Sequence, residues 1–259
     1  MAGVWDPTQY ERFKAERAAP FFDLLALVLP TESLRVLDLG CGTGELSCEA
    51  HRRLRALNTL GIDSSQAMLE RARRHEAPGV AFELADMVGF SAPRSFDIVL
   101  SNAALQWVPD HASVLARWTS FLTEKGQLAV QVPANLDHPS HSIAAEVATE
   151  EPFLSAFGGD PPADPVRNVL APEEYARLLF ELGYKNQHVR LQVYGHVLPS
   201  TEEVVEWVRG TSLTRFAARL RPELFEEYVL RYKARVLERL GRHSPFFYPF
   251  KRILLWGHL

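Results

Sequence analysis

Thiols are nearly absent from this chain, whose only cysteines are Cys41 and Cys48. They form neither a CxxC pair nor a Cys/His array, which excludes a zinc module, and two thiols cannot make a disulfide scaffold. Both read as reduced. Long apolar runs are missing as well: Phe21 to Leu29 is interrupted by Asp23 and falls short of the roughly 20 residues that cross a bilayer. No basic-then-apolar leader precedes it, so a cytoplasmic protein without membrane contact is expected. Nor is there a basic block. Net charge is −4 and the arginines are interspersed with glutamates, which argues against nucleic acid or anionic lipid as a partner.

What is present is ordinary globular composition, 47% hydrophobic and 23% charged. At 259 residues the chain can hold one α/β core with a helical cap, and a monomer is expected. The opening reads as helix from Asp6-Pro7 to Leu29, with Tyr10, Phe13 and Phe21 on its apolar face. Arg35 to Leu39 is a short apolar strand that runs into Gly40-Cys41-Gly42-Thr43-Gly44, and helix follows from Glu45 to Leu57. The alternation repeats: strand Thr59 to Ile62, helix Ser65 to His75, strands Val80 to Leu84 and Phe96 to Leu100, helix Ala112 to Leu122, strand Gln127 to Val132. Such alternation predicts a mainly parallel, doubly wound sheet covered on both faces.

After Pro133 the regularity breaks. Asn135, His138, His141, Gly158-Gly159 and Pro161, Pro162 and Pro165 read as a loop-rich insertion, of the kind that closes over a substrate. Helix resumes from Pro172 to Leu182 with Gly183 as its cap, then strand from Gln187 to Tyr194, a long helical section from Thr201 to Leu240, and a closing strand from Pro249 to Trp256. The expected organisation is a core of residues 1–133, 172–198 and 245–259 with cap insertions 134–171 and 199–244.

The chemistry sits at the strand ends. The glycines at 40, 42 and 44 let a ligand approach backbone N–H groups at a helix N-terminus. Asp38, Asp63, Asp86 and Asn102 close four successive strands, whose carboxyl ends border one crevice in a doubly wound sheet. Asp63 follows Gly44 by about 20 residues, the distance of an acid that accepts both ribose hydroxyls. A nucleoside ligand is implied. The spacing is GxGxG and not GxGxxG, and Asp38 would repel a diphosphate while favouring an ammonium or sulfonium. Asp86 is placed to hold an adenine amine. An NAD-dependent oxidoreductase is therefore disfavoured against a protein that binds a cationic, aminoacyl-bearing nucleoside.

Those residues resemble class I S-adenosylmethionine-dependent methyltransferases, in the segments Val36 to Gly44 and Gly61 to Ser65. The resemblance implies a Rossmann-like seven-stranded sheet of order 3-2-1-4-5-7-6 with the last strand antiparallel, and S-adenosylmethionine (leaving as S-adenosylhomocysteine) over Gly40. It implies a cofactor set of Arg17, Asp38, Gly40, Gly42, Asp63, Ser64, Met68, Ala85, Asp86, Met87 and Asn102. Asp63 would take the ribose, Asp86 the adenine amino group, Met87 the ring edge, Asn102 the aminoacyl end through its backbone, and Arg17 the methionine carboxylate.

Trp5 to Tyr10, Asn102 to His111, Gln131 to Pro133 and Val205 to Val208 resemble more narrowly the trans-aconitate 2-methyltransferase family. That implies methyl transfer to a carboxylate of a small, anionic polycarboxylic acid. The chain departs from the family at Pro133-Ala134-Asn135 and at Leu213-Thr214-Arg215, where substrate would be read.

A carboxylate with a pKa near ~4 is already a nucleophile at neutral pH, so no certain catalytic residue and no metal are expected. Trp107 and His111 are the positioning candidates, and Trp107, Asn135, Arg209 and Arg215 the substrate candidates. The other reading of Arg209, Arg215, Arg219 and Arg221 is a solvated helical face, and of His138 and His141 solvated loop histidines. Transfer to a malonyl thioester or to a secondary-metabolite hydroxyl is the alternative activity. The hydroxyl would need a base such as His111, His138 or His141. A nucleoside-binding protein without turnover is the remoter alternative.

Overall fold

A computed structural model describes the backbone of residues 14–32 and 34–259, and side chains from residue 18. The predicted helix start at Asp6-Pro7, with Tyr10, Phe13 and the Arg17 side chain, lies outside the described residues. The chain divides into two compact units. Among the described residues, one comprises 18–134, 168–192 and 252–259, the other 14–17, 135–167 and 193–251.

The first unit carries the alternating pattern. After α1 (Lys14–Leu25) come β1 (Arg35–Leu39), α2 (Glu45–Leu54), β2 (Asn58–Asp63), α3 (Gln66–Ala72), β3 (Val80–Leu84), β4 (Phe96–Asn102), α4 (His111–Ser120) and β5 (Leu122–Pro133). Strands β1 to β5 pair in parallel. With β6 (Asn186–Leu198) and β7 (Phe246–His258) they form a seven-stranded sheet of order β3-β2-β1-β4-β5-β7-β6, as the resemblance implied. The closing strand β7 runs antiparallel to β5, from Gln127↔His258 to Pro133↔Arg252. Val36, Leu37, Leu39, Val99, Leu100, Leu128 and Val130 are buried, the near-continuous apolar runs of strands covered on both faces. α7 (Pro172–Glu181) packs Tyr175 and Leu179 into the same core.

The second unit is mainly helical and adds detail to the sequence reading in two places. Residues 134–171 are loop-rich but not loop alone: they contain α5 (Pro139–Ala148) and the short α6 (Phe153–Ala156). Pro139 starts α5, a position where proline is well tolerated because its missing N–H has no intrahelical partner. His138 caps the helix through Nδ1, which accepts from Ser140 N–H at 3.2 Å. Ile143, Ala144, Val147 and Ala148 then fall on one face and are buried with Phe153, Trp207, Tyr228, Tyr232 and Tyr248. The helical section expected from Thr201 to Leu240 consists of three helices: α8 (Glu202–Arg209), α9 (Thr214–Ala217) and α10 (Pro222–Leu240). Gly210 interrupts the first break and Pro222 opens the last helix, which starts afresh because a proline cannot continue the i→i−4 ladder.

Candidate active site

The glycine loop is held where β1 and β2 end. Gly40 and Cys41 N–H both donate to Ile62 O at 2.9 Å, so the chain leaving β1 folds across the end of β2. Gly40 has φ +79°, and a Cβ there would lie 2.3 Å from Ala104 Cβ and 3.2 Å from Met87 Cε. Only glycine fits. Gly42 has φ +58° and nothing within 4 Å of its Cβ position, so its surface faces open space.

Asp63 joins the loop to the next helix. Its Oδ2 accepts from Gly42 N–H at 2.9 Å and its Oδ1 from Ser65 N–H at 2.8 Å, which leaves lone pairs for a further donor. Ser65 in turn caps α3 through Met68 N–H. Ala85 N–H donates to Asp63 O at 3.1 Å, Asp86 Oδ1 accepts from Val88 N–H at 3.0 Å, and Met87 O accepts from Trp118 Nε1–H at 3.3 Å. Ser64 and Asp86 are exposed, Met68, Met87 and Asn102 half-buried.

Asp38 is 3% exposed and accepts from Ser47 Oγ at 2.5 Å. Burial lifts its carboxyl to about 6; the Ser47 bond offsets part of the shift and the charge of Asp63 adds to it. An acid so placed gains from a neighbouring cation. Burial also pushes the Cys41 thiol up, with Asp38 and Asp63 reinforcing it, so that thiol is unreactive at neutral pH.

Beyond β4, Ala103 takes φ +54° and donates its N–H to Gln131 O at 2.9 Å. Asn102 Oδ1, Gln106 Oε1 and Gln131 Nε2 are buried without a partner there. Three polar atoms in want of hydrogen bonds at two strand ends are what a ligand-binding surface leaves. Gln106 and Gln131 were not singled out from sequence, although both lie inside segments that carry the family resemblance. Ser47 was missed too, since a serine inside a predicted helix gives no sign that it reaches a strand-end acid.

Trp107 is 58% exposed, on a single turn whose Leu105 and Gln106 are buried. His111 is 2% exposed, and its Nδ1 lies 2.6 Å from Tyr175 OH. Desolvation holds the imidazole below its usual pKa. It is thus a core residue. Asn135, Arg209 and Arg215 lie in the helical unit, each with its own partner. Asn135 Oδ1 accepts from Lys251 N–H at 2.9 Å, Arg209 pairs with Glu226, and Arg215 pairs with Asp164. The solvated-face reading fails for Arg215, whose side chain is 7% exposed, and the solvated-loop reading fails for His141, which is 4% exposed. In both cases Asp164 compensates the buried group. Among the described residues no three His, Cys, Asp or Glu side chains gather as metal ligands, and no helix is long and apolar enough to cross a membrane.

A family model described as a methyltransferase domain matches residues 30–164. The chain is 44% identical over 218 residues to a trans-aconitate 2-methyltransferase of Deinococcus radiodurans, covering 84% of each. It is 38% identical over 253 residues to one of Methylobacterium nodulans, covering 97% of this chain and 96% of that one. Among solved structures, the YcgJ protein of Bacillus subtilis superposes with a TM-score of 0.60 at 15% identity, over 95% of this chain and 98% of that one. A phosphoethanolamine N-methyltransferase 2 of Haemonchus contortus gives 0.59 at 16% identity, over 97% of this chain and 56% of that one. With a glycine loop, an acid that ties it to the next helix and a buried carboxylate at the strand ends, and relatives of this kind along nearly its whole length, the chain belongs to the S-adenosylmethionine-dependent methyltransferase family.

Proposed function

We propose that this enzyme methylates a carboxylate of trans-aconitate. The observation that carries the reading is the likeness to two trans-aconitate 2-methyltransferases, one of them over 97% of the chain. The chemistry of the site supports it. S-adenosylmethionine supplies a methyl group on a sulfonium. A carboxylate oxygen forms the new C–O bond as the C–S bond breaks, and no proton has to leave. The protein therefore needs alignment and exclusion of water, not a base. That accords with the burial of His111, the histidine that follows β4, against Tyr175.

The residues present fit the donor. Gly42 offers open space beside Asp63, whose remaining lone pairs would take the ribose hydroxyls, and Asp86 would take the adenine amino group. Ser64, Ala85 and Met87 would border the base. Asp38 would stabilise the cationic end, and Asn102 would border the aminoacyl group; the family resemblance assigns its carboxylate to Arg17, whose side chain lies outside the described residues. Trp107 would flank the methyl group. The acceptor is anionic.

The test is calorimetric binding of S-adenosylhomocysteine, then methyl transfer to trans-aconitate, related di- and tricarboxylates, malonyl thioesters and phenols. Turnover confined to polycarboxylates is expected. Turnover on a thioester or a phenol instead would overturn the substrate assignment.

A further inference from the structure

Serine is a costly choice where α2 meets the sheet. Ser47 lies in the first turn of that helix and is fully buried, as is Ala50 one turn on, so both stand on its inward face. A hydroxyl on such a face destabilises the fold unless it finds a partner, and alanine would serve the helix better. The partner lies outside the helix. A hydroxyl has one proton to give, and Ser47 gives it to Asp38 Oδ2 on β1, at 2.5 Å, instead of to a carbonyl of its own helix.

Asp38 is the other half of the arrangement. Its strand neighbours Leu37 and Leu39 are wholly buried, and the acid itself is 3% exposed. Among the described residues Ser47 is the one group that donates to it. Oδ1 makes no hydrogen bond, yet it is not closed from solvent. The carboxylate thus turns one oxygen to α2 and opens the other at the strand end, two residues before Gly40. Without the hydroxyl, Oδ2 would be a buried anionic oxygen with no donor, a situation that favours the protonated, neutral acid. A neutral acid has no charge to set against a cation.

We propose that Ser47 is a positioning residue of the donor site: its hydroxyl holds Asp38 Oδ2 so that an ionised Oδ1 faces the cationic end of S-adenosylmethionine. That this end lies against Asp38 rests on the placement given above. Among the described residues, the titratable groups that bear on Asp38 are Asp63 at the end of β2, Cys41 in the glycine loop and Cys48 on α2. Burial pushes both thiols up, and the charge of Asp38 adds to it, so neither is charged near neutral pH. Asp63 works against the ionised form of Asp38, and the Ser47 bond works for it. The serine therefore acts on donor binding through the charge and the orientation of another residue.

The experiment is calorimetry of S-adenosylhomocysteine at pH 6 and at pH 8.5 on the full chain and on its Ser47→Ala, Ser47→Thr and Asp38→Asn variants. Alanine deletes a single oxygen and favours helix, so circular dichroism should report an intact fold. The Asp38 carboxyl titrates at about 6; losing one hydrogen bond to the anion should move that midpoint up by about one pH unit. Because binding draws on the ionised acid, the affinity lost in Ser47→Ala should be about fivefold greater at pH 6 than at pH 8.5. Comparing the two proteins at each pH cancels any titration of the ligand. Ser47→Thr keeps the hydroxyl and should restore the profile, and adding Ser47→Ala to Asp38→Asn should bring no further dependence on pH. A loss that is equal at the two pH values, or no loss in a folded Ser47→Ala, would overturn the inference while Asp38→Asn still weakens binding. Full affinity in Asp38→Asn would instead sink the placement of the donor against Asp38, and the role of Ser47 with it.

Discussion

Alanine at Gly40 and alanine at Gly42 should fail for different reasons, although one residue separates them. At Gly40 the new methyl group would sit 2.3 Å from Ala104 Cβ and 3.2 Å from Met87 Cε, on a backbone at φ +79°. The left-handed conformation costs a non-glycine residue roughly 1–2 kcal/mol. Forcing the loop off Ala104 adds about 1–3 kcal/mol of overpacking. At Gly42, with φ +58° and open space, only the backbone cost of roughly 1–2 kcal/mol applies. Urea unfolding should therefore show Gly40→Ala as the less stable variant by about 1–3 kcal/mol. S-adenosylhomocysteine titration should show the reverse emphasis: Gly42→Ala stays folded but loses affinity, because its methyl occupies the space assigned to the donor. Adding Ala104→Gly removes the atom that Gly40→Ala strikes and should restore the overpacking part and nothing else. The reasoning is refuted if the two single variants unfold alike, if Ala104→Gly restores nothing, or if Gly42→Ala binds the product as the unmodified protein does.

Asp63→Ala removes the acceptor of two backbone N–H groups and the ribose contact, so S-adenosylhomocysteine affinity should drop at least about a hundredfold, close to 3 kcal/mol, while circular dichroism still reports an intact sheet. Loss of the sheet signal, or retained affinity, would contradict the placement of the ribose. The Asp38 carboxyl is raised to about 6, so between the unfolded value of 3.8 and about 6 the folded state holds a proton that the unfolded chain has released. Stability from this group is thus present at low pH and is lost as pH rises to about 6, by roughly 3 kcal/mol in all. Asp38→Asn should be more stable than the unmodified protein at pH 7.5 but not at pH 4, with weaker product binding; melts that run parallel across that range would refute the shift. Tyr175→Phe leaves His111 Nδ1 without its 2.6 Å partner and should cost about 1–3 kcal/mol of stability. It should not alter kcat, and a changed pH–rate profile would show that His111 takes part in the chemistry.

The parts of the fold that could be read in advance are those whose signal is local. The strand, glycine turn and helix around Val36 to Leu54 announce themselves within about 20 residues, and strand ends in such a sheet converge wherever the intervening helices lie. Asp38, Asp63, Asp86 and Asn102 were legible for that reason. Residues 134–171 were not, because Pro139 and His138 look like loop residues and act as a helix start, and the apolar face of α5 becomes meaningful only against α10. Helical spacing gives an arginine no label for burial. Arg215 is buried because Asp164, far away in sequence, meets it, whereas Arg209 on the neighbouring helix remains half-exposed against Glu226. Ser47 and Tyr175 escaped notice on the same grounds: each matters through one partner in a different element.

The most direct test of the central claim combines S-adenosylhomocysteine calorimetry with transfer of labelled methyl to trans-aconitate in one preparation of the protein. The account predicts saturable binding and a base-labile methyl ester on trans-aconitate, with no label on phenols or malonyl thioesters. Absence of binding would contradict the site assigned at the ends of β1, β2 and β3, and binding with label on any other acceptor would contradict the substrate.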